Sequence, residues 1–100
     1  MTRSARPGGG RVAAAAPGSY SGFSVVPAAQ LLAVPEGVSL AQAAACMTQG
    51  LTAHYLVHSC PTVASLEDEW VLAHAAGGGT GQLVVQMAAQ RGARVIGTSS

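Results

Sequence analysis

The sequence contains no lysine, only four aromatic residues and only two cysteines in 100 positions. Without lysine it cannot build the phosphate-binding loop that sets Lys and then Ser/Thr after its last glycine. Charged residues make up 9% of the chain and the net charge is +1, so no basic cluster is available to grip a nucleic-acid backbone. Arg3, Arg6 and Arg11 all precede the first acid, Glu36. Spaced through a Pro/Gly-rich tail, they read as solvated charges, with organelle targeting as the other reading. Cys46 and Cys60 do not make a disulfide framework, and no signal peptide is visible. A reducing cytoplasm is therefore expected. No stretch qualifies as a membrane span either: the longest apolar one, residues 40–57, contains Gln42, Thr48, Gln49, Gly50 and His54.

What the chain does have is alanine, glycine and short apolar runs. The run at residues 70–74 is right for a strand buried on both faces. Ala75-Ala76-Gly77-Gly78-Gly79-Thr80-Gly81 follows at once. Glycines let a chain turn sharply and bring backbone N–H groups against a pyrophosphate. From Gly81 the pattern turns helical, with Leu83, Val84, Met87 and Ala88 on one face. Gly92 is a natural C-cap, and Val95-Ile96 begins a second, parallel strand. Strand, glycine turn, helix and strand in that order fit the dinucleotide-binding fingerprint, with Ala76, Gly78 and Gly81 on its three positions and alanine where the first glycine usually sits.

The second strand ends in Gly97-Thr98-Ser99-Ser100. An acid roughly 20 residues after the fingerprint would bond the ribose hydroxyls of NAD. Hydroxyls stand there instead, and they can donate to a 2′-phosphate that a carboxylate would repel. NADPH is preferred over NADH on this reading, with any Arg or Lys that completes a phosphate site expected beyond Ser100.

Taken in order, residues 1–10 read as a disordered tail. Residues 11–16 and 20–26 read as strands, separated by the turn pair Pro17-Gly18. Residues 31–34 are a third short apolar run, stopped by Pro35-Glu36-Gly37. Ser39 and Gln42 form a capping box that opens a helix with Leu40, Ala43, Ala44 and Met47 as its apolar stripe. Gly50 is expected to interrupt it, with a second helical piece over residues 51–59 that ends before Pro61. Residues 62–68 make a polar approach to the strand at Trp70.

These residues resemble a known family. Gly18-Ser19-Tyr20-Ser21-Gly22-Phe23 followed by Val25-Val26-Pro27-Ala28 resembles the end of the GroES-like domain of medium-chain dehydrogenase/reductases. Gln49-Gly50-Leu51-Thr52-Ala53-His54-Tyr55-Leu56, with His74-Ala75-Ala76-Gly77-Gly78-Gly79-Thr80-Gly81, resembles the zinc-free quinone oxidoreductase branch that includes zeta-crystallin. Arg94-Val95-Ile96-Gly97-Thr98 is similar to that branch's second strand. Gly77 stands for a usual Ala, and Thr80 for a Val that packs between helix and sheet.

The resemblance implies an α/β fold in three parts. After the tail at 1–10, residues 11–37 are the end of the GroES-like β domain. Residues 38–100 are connecting helices and the first β-α-β unit of a Rossmann domain, a doubly wound parallel sheet. It also implies hydride transfer from NADPH to a quinone or enone in a protein roughly three times this length. Gln49, Gly50 and Thr52 would lie beside the nicotinamide. Ala76, Gly77, Gly78, Gly79, Thr80 and Gly81 would hold the pyrophosphate, and Thr98, Ser99 and Ser100 the adenosine ribose. Full-length relatives are expected to form homo-oligomers.

Two strands are too few for a full dinucleotide domain of about six, so the chain is expected to be a fragment, inactive alone. An enoyl-thioester reductase of the same superfamily is the competing enzyme, and a truncated non-catalytic chain the competitor of another class. His54 and His58 share a helical face at a spacing that can chelate zinc, yet the His-Glu pattern of metalloproteases is absent. They read as surface or interface histidines. Zinc-binding members of the superfamily carry a helix cysteine where Thr48 stands here, so no metal and no certain catalytic residue is assigned. His74 reads as half-buried and bonded to backbone, residues 67–69 as a solvated acidic turn, and Cys46 as a small buried residue.

Overall fold

The computed structural model describes residues 10–61 and 65–100. The disorder and targeting expected of residues 1–9, and the first part of the polar approach at 62–64, lie outside the described residues. The chain divides between Thr48 and Gln49 into two compact units. The architecture is mixed α/β, with two separate two-stranded sheets.

In the first unit β1 (Val12–Ala13) pairs antiparallel with β2 (Leu32–Ala33), in the register Val12↔Ala33 and Ala13↔Leu32. A one-turn 3-10 helix, Ala28–Gln30, precedes β2. The strand expected over residues 20–26 does not form. Ser21 instead folds that segment on itself, its hydroxyl 2.7 Å from the carbonyls of both Gly18 and Phe23. Tyr20, Phe23 and Val25 stay in solvent. Alternating apolar residues make a strand only when a partner ladder takes up their N–H and C=O groups, and among the described residues this segment pairs with none.

Helix α1 runs unbroken from Leu40 to His58. Its capping box is closed in both directions: the Ser39 N–H donates to Gln42 Oε1 at 2.9 Å, and the Gln42 N–H to Ser39 Oγ at 3.1 Å. The expected interruption at Gly50 is absent. A helical glycine costs about 1 kcal/mol against alanine, too little to break a helix whose Ala53 and Val57 are buried.

The second unit carries the parallel pair. β3 (Trp70–Ala73) and β4 (Arg94–Gly97) align Trp70↔Arg94 through Ala73↔Gly97, and α2 (Gly79–Gln90) joins them. Helix α2 begins two residues before the expected Gly81, because Gly78 already takes the extended N-cap conformation. It ends as expected. Gly92 has φ +81°, its N–H donates to the Ala89 carbonyl at 3.0 Å, and the Ala93 N–H reaches the Ala88 carbonyl at 3.1 Å. These are the paired bonds of a Schellman cap, which needs a left-handed residue at this position.

Val57, Leu66 and Ala88 form a small buried cluster, with Val71, Val84, Met87, Ala93 and Val95 packed against it. One face of β3–β4 therefore meets the core. The other does not, which corrects the expectation of a strand buried on both sides: Trp70 (65% exposed), Leu72 and Ile96 remain open. The Arg94 guanidinium lies 5.8 Å from the Trp70 ring centroid. Among the described residues no helix is long and apolar enough to cross a membrane.

Candidate functional site

The turn after β3 is built by close backbone packing. A methyl group at Gly81 would overlap the Ala75 carbonyl oxygen and lie 2.8 Å from its carbon and 3.0 Å from Ala76 Cα. Only glycine lets the first turn of α2 come this near. Ala75 itself takes the left-handed conformation, φ 53°, at a cost of roughly 1–2 kcal/mol for a residue with a Cβ. The bend is held by Gly78 N–H to Ala75 O at 2.9 Å and Ala76 N–H to Thr98 O at 2.9 Å. Thr98 N–H returns to Ala73 O at 3.0 Å. The end of β3, the turn and the residue after β4 are thus laced into one body.

The cleft beside this lacing, about 630 Å³, is lined by Ala75, Gly77, Gly78, Thr98, Ser99 and Ser100. No side-chain carboxylate is in that lining. No side chain caps α2, and its first intrahelical bond runs from Gln82 N–H to Gly78 O at 3.0 Å. The amides of Gly79, Thr80 and Gly81 therefore have no carbonyl one turn back to bond. Open N–H groups, the positive end of the helix dipole and the hydroxyl-bearing residues Thr98, Ser99 and Ser100 in the lining suit a dianionic pyrophosphate. The donor set fits that group.

Of the residues singled out by sequence, Gly77, Gly78, Thr98, Ser99 and Ser100 come together in the cleft. Gly79, Thr80 and Gly81 form the first turn of α2, and Ala76 is tied to Thr98. Gln49 joins them: its side-chain amide packs so close to Gly79 that a Cβ there would overlap it. Gly50 and Thr52 follow Gln49 on α1 and are not part of the cleft lining. One contributor went unread and another departs from its reading. Ala75 makes the left-handed bend, and no residue type signals that of an alanine. His74 is exposed rather than half-buried, and its Nδ1 lies 2.9 Å from Thr98 Oγ1, a side chain rather than the expected backbone. Its position past the end of β3 lifts it out of the core, and the parallel register brings Thr98 alongside.

The other constellations separate cleanly. Residues 67–69 are an exposed turn, with Asp68 paired to Arg94 at 3.2 Å. Cys46 is exposed, not buried, because the buried residues of α1, Ala53 and Val57, all lie in its second half. Cys60 hydrogen-bonds the Tyr55 hydroxyl and raises that phenol above its ordinary pKa. No group of three or more His, Cys, Asp or Glu side chains gathers among the described residues in a way that could hold a metal ion.

No protein-family model matches the sequence. Individual proteins do. The chain is 42% identical over 83 residues to the quinone oxidoreductase of Pseudomonas aeruginosa, and 41% identical over 85 residues to a 2-haloacrylate reductase of a Burkholderia species. Each match takes in 83% of this chain. By sequence the chain is thus similar to one stretch of proteins that include quinone oxidoreductases.

Solved structures also superpose on it. The ER cyclopropanase CurF of the curacin A pathway does so with a TM-score of 0.81 and 39% identity, over 92% of this chain and 27% of that one. Escherichia coli quinone oxidoreductase, solved with NADPH, gives a TM-score of 0.59 and 40% identity, over 68% of this chain and 20% of that one. The chain spans about a quarter of the length of the curated relatives it matches, 25% for each of the two.

Proposed function

We propose that this chain is the NADPH-cradling quarter of a quinone oxidoreductase and has no activity by itself. The observation that carries the reading is the glycine turn between parallel strands, with the N-cap glycine of an uncapped helix lining a cleft that has no side-chain carboxylate. Residues 11–37 are then the end of a GroES-like domain, and residues 38–100 lead into the first β-α-β unit of a Rossmann sheet. Backbone N–H groups of residues 77–81 bind the pyrophosphate. Thr98, Ser99 and Ser100 receive the adenosine ribose and its 2′-phosphate, and Gln49, Gly50 and Thr52 lie toward the nicotinamide. Bound there, NADPH supplies the hydride that, with a proton, takes a quinone or enone to its reduced form. The chain's own part is placement: the rigid lacing of Ala73, Ala76 and Thr98 fixes the cradle, and no side chain acts as acid or nucleophile. The full-length protein works in the cytoplasm or, if the tail targets it, an organelle; its cofactor site uses no metal, it binds neither nucleic acid nor membrane, and its full-length relatives are homo-oligomers.

Two measurements test this. In titration the 100-residue chain shows no micromolar affinity for NADPH; saturation in that range overturns its being a dependent piece. A chimera in which these residues replace the matching quarter of the Pseudomonas aeruginosa protein consumes NADPH with ortho- or para-quinones. The overlay on the CurK enoyl reductase, with a TM-score of 0.64 and 37% identity over 71% of the chain, favours a second reading, an enoyl-thioester reductase. Consumption of NADPH with enoyl-thioesters alone would establish it, and no turnover with either substrate would leave the non-catalytic alternative.

A further inference from the structure

We propose that His74 is a positioning residue that sets the direction of the Thr98 hydroxyl, so that the cleft's preference for a 2′-phosphate follows the charge of this imidazole. That role rests on the NADPH cradle proposed above. Thr98 lines the cleft and His74 does not. The Thr98 backbone is tied on both sides: its N–H donates to Ala73 O at 3.0 Å, and its carbonyl accepts from Ala76 N–H at 2.9 Å. A threonine side chain is stiff about χ1, so the freedom left at this residue is rotation of its O–H. His74 Nδ1, 2.9 Å from Thr98 Oγ1, decides that rotation.

A hydroxyl has one proton to give. Where Nδ1 is bare, the Thr98 O–H donates to it, and Thr98 turns only lone pairs toward an anion. In the imidazolium both ring nitrogens carry protons. Nδ1 then donates to Oγ1, and the hydroxyl proton is free for a phosphate oxygen, a charge-assisted bond. The positive ring adds attraction in the same direction. Few other charges bear on the pair. β3, the turn and α2 carry no other titratable side chain, and Arg94 stands at the far end of β4, paired with Asp68. On α1, which reaches the turn through Gln49, His54 and His58 stack on each other, Tyr55 is engaged with Cys60, and Cys46 belongs to the other unit. Ser100 ends the sequence in a main-chain carboxylate, which the chimera replaces with a peptide bond.

The test is the ratio of the NADH to the NADPH dissociation constant in the chimera, followed across the pH range where imidazole titrates. As His74 gains its proton the ratio is expected to rise about tenfold, with the midpoint that NMR finds for the His74 ring in the same protein. By linkage, NADPH raises that midpoint more than NADH does. The 2′-phosphate is itself a titrating monoester, and His74→Asn separates the two contributions. Asparagine offers an amide N–H in place of Nδ1 and does not titrate, so it is expected to keep the NADPH preference and lose the His74-linked rise. His74→Ala loses both. In the 100-residue chain, Thr98→Val is expected to shift the ring resonances of His74 alone among the three histidines. The same pH profile in the chimera and its His74→Asn variant, or His74 resonances indifferent to Thr98→Val, overturns this role and leaves the NADPH cradle standing. No NADPH binding by the chimera at any pH overturns both.

Discussion

Residues 11–34 and residues 70–97 are both rich in small apolar side chains and glycine, yet they fold to different degrees. The first stretch yields two-residue strands and leaves Tyr20, Phe23 and Val25 in solvent. The second closes a four-residue parallel ladder over a helix whose Ala88 is fully buried. Apolar content does not separate them. What separates them is whether the contacts that each local pattern requires are supplied by neighbours close in the chain. A strand-turn-helix-strand unit brings its own partners within about 30 residues. An isolated alternating run such as residues 20–26 brings none.

The same kind of substitution should therefore act very differently in the two regions. Gly81→Ala drives a methyl group into the Ala75 carbonyl and is expected to cost about 3 kcal/mol, the upper part of the overpacking range. Gly22→Ala, with nothing within 4 Å of the new Cβ, should change stability by less than about 0.5 kcal/mol. Chemical denaturation of the two variants measures both, and equal effects would erase the contrast. Leu66→Ala removes a side chain from the buried cluster and should cost about 2–3 kcal/mol. Phe23→Ala, 89% exposed at the start, should cost almost nothing.

Smaller effects sharpen the picture within the second unit. Gly92→Ala forces a Cβ into a left-handed position, 3.3 Å from Glu67 Cα. About 1–2 kcal/mol is expected, read as a shift of the denaturation midpoint with the slope unchanged. Thr98→Val deletes the exposed hydrogen bond to His74 and should cost about 0.5 kcal/mol. Asp68→Asn breaks only an exposed ion pair with Arg94. Its effect should stay below about 0.5 kcal/mol and vanish in high salt.

The order of elements in residues 70–97 was legible in the sequence because glycine at 78, 81 and 92 and the helical spacing of Leu83, Val84, Met87 and Ala88 all describe one local unit. The capping box at Ser39 and Gln42 was legible for the same reason, both partners lying within one turn. Tertiary balance was not. Gly50 reads as a break, but the burial of Ala53 and Val57 outweighs its helix cost. Trp70 and Leu72 read as core, although only one face of their sheet is covered among the described residues. At the candidate site, the cleft residues Gly77, Gly78, Thr98, Ser99 and Ser100 were found from motif and position. The left-handed bend at Ala75 and the His74–Thr98 bond depend on how two strand ends meet, which no single residue type declares.

The direct test of the account is a crystal structure, with NADPH, of the chimera that carries these residues in the Pseudomonas aeruginosa framework. Pyrophosphate oxygens are expected within hydrogen-bond distance of the backbone amides of residues 77–81, and the adenosine ribose against Thr98, Ser99 and Ser100. A pyrophosphate bound elsewhere, with those amides facing solvent, would contradict it.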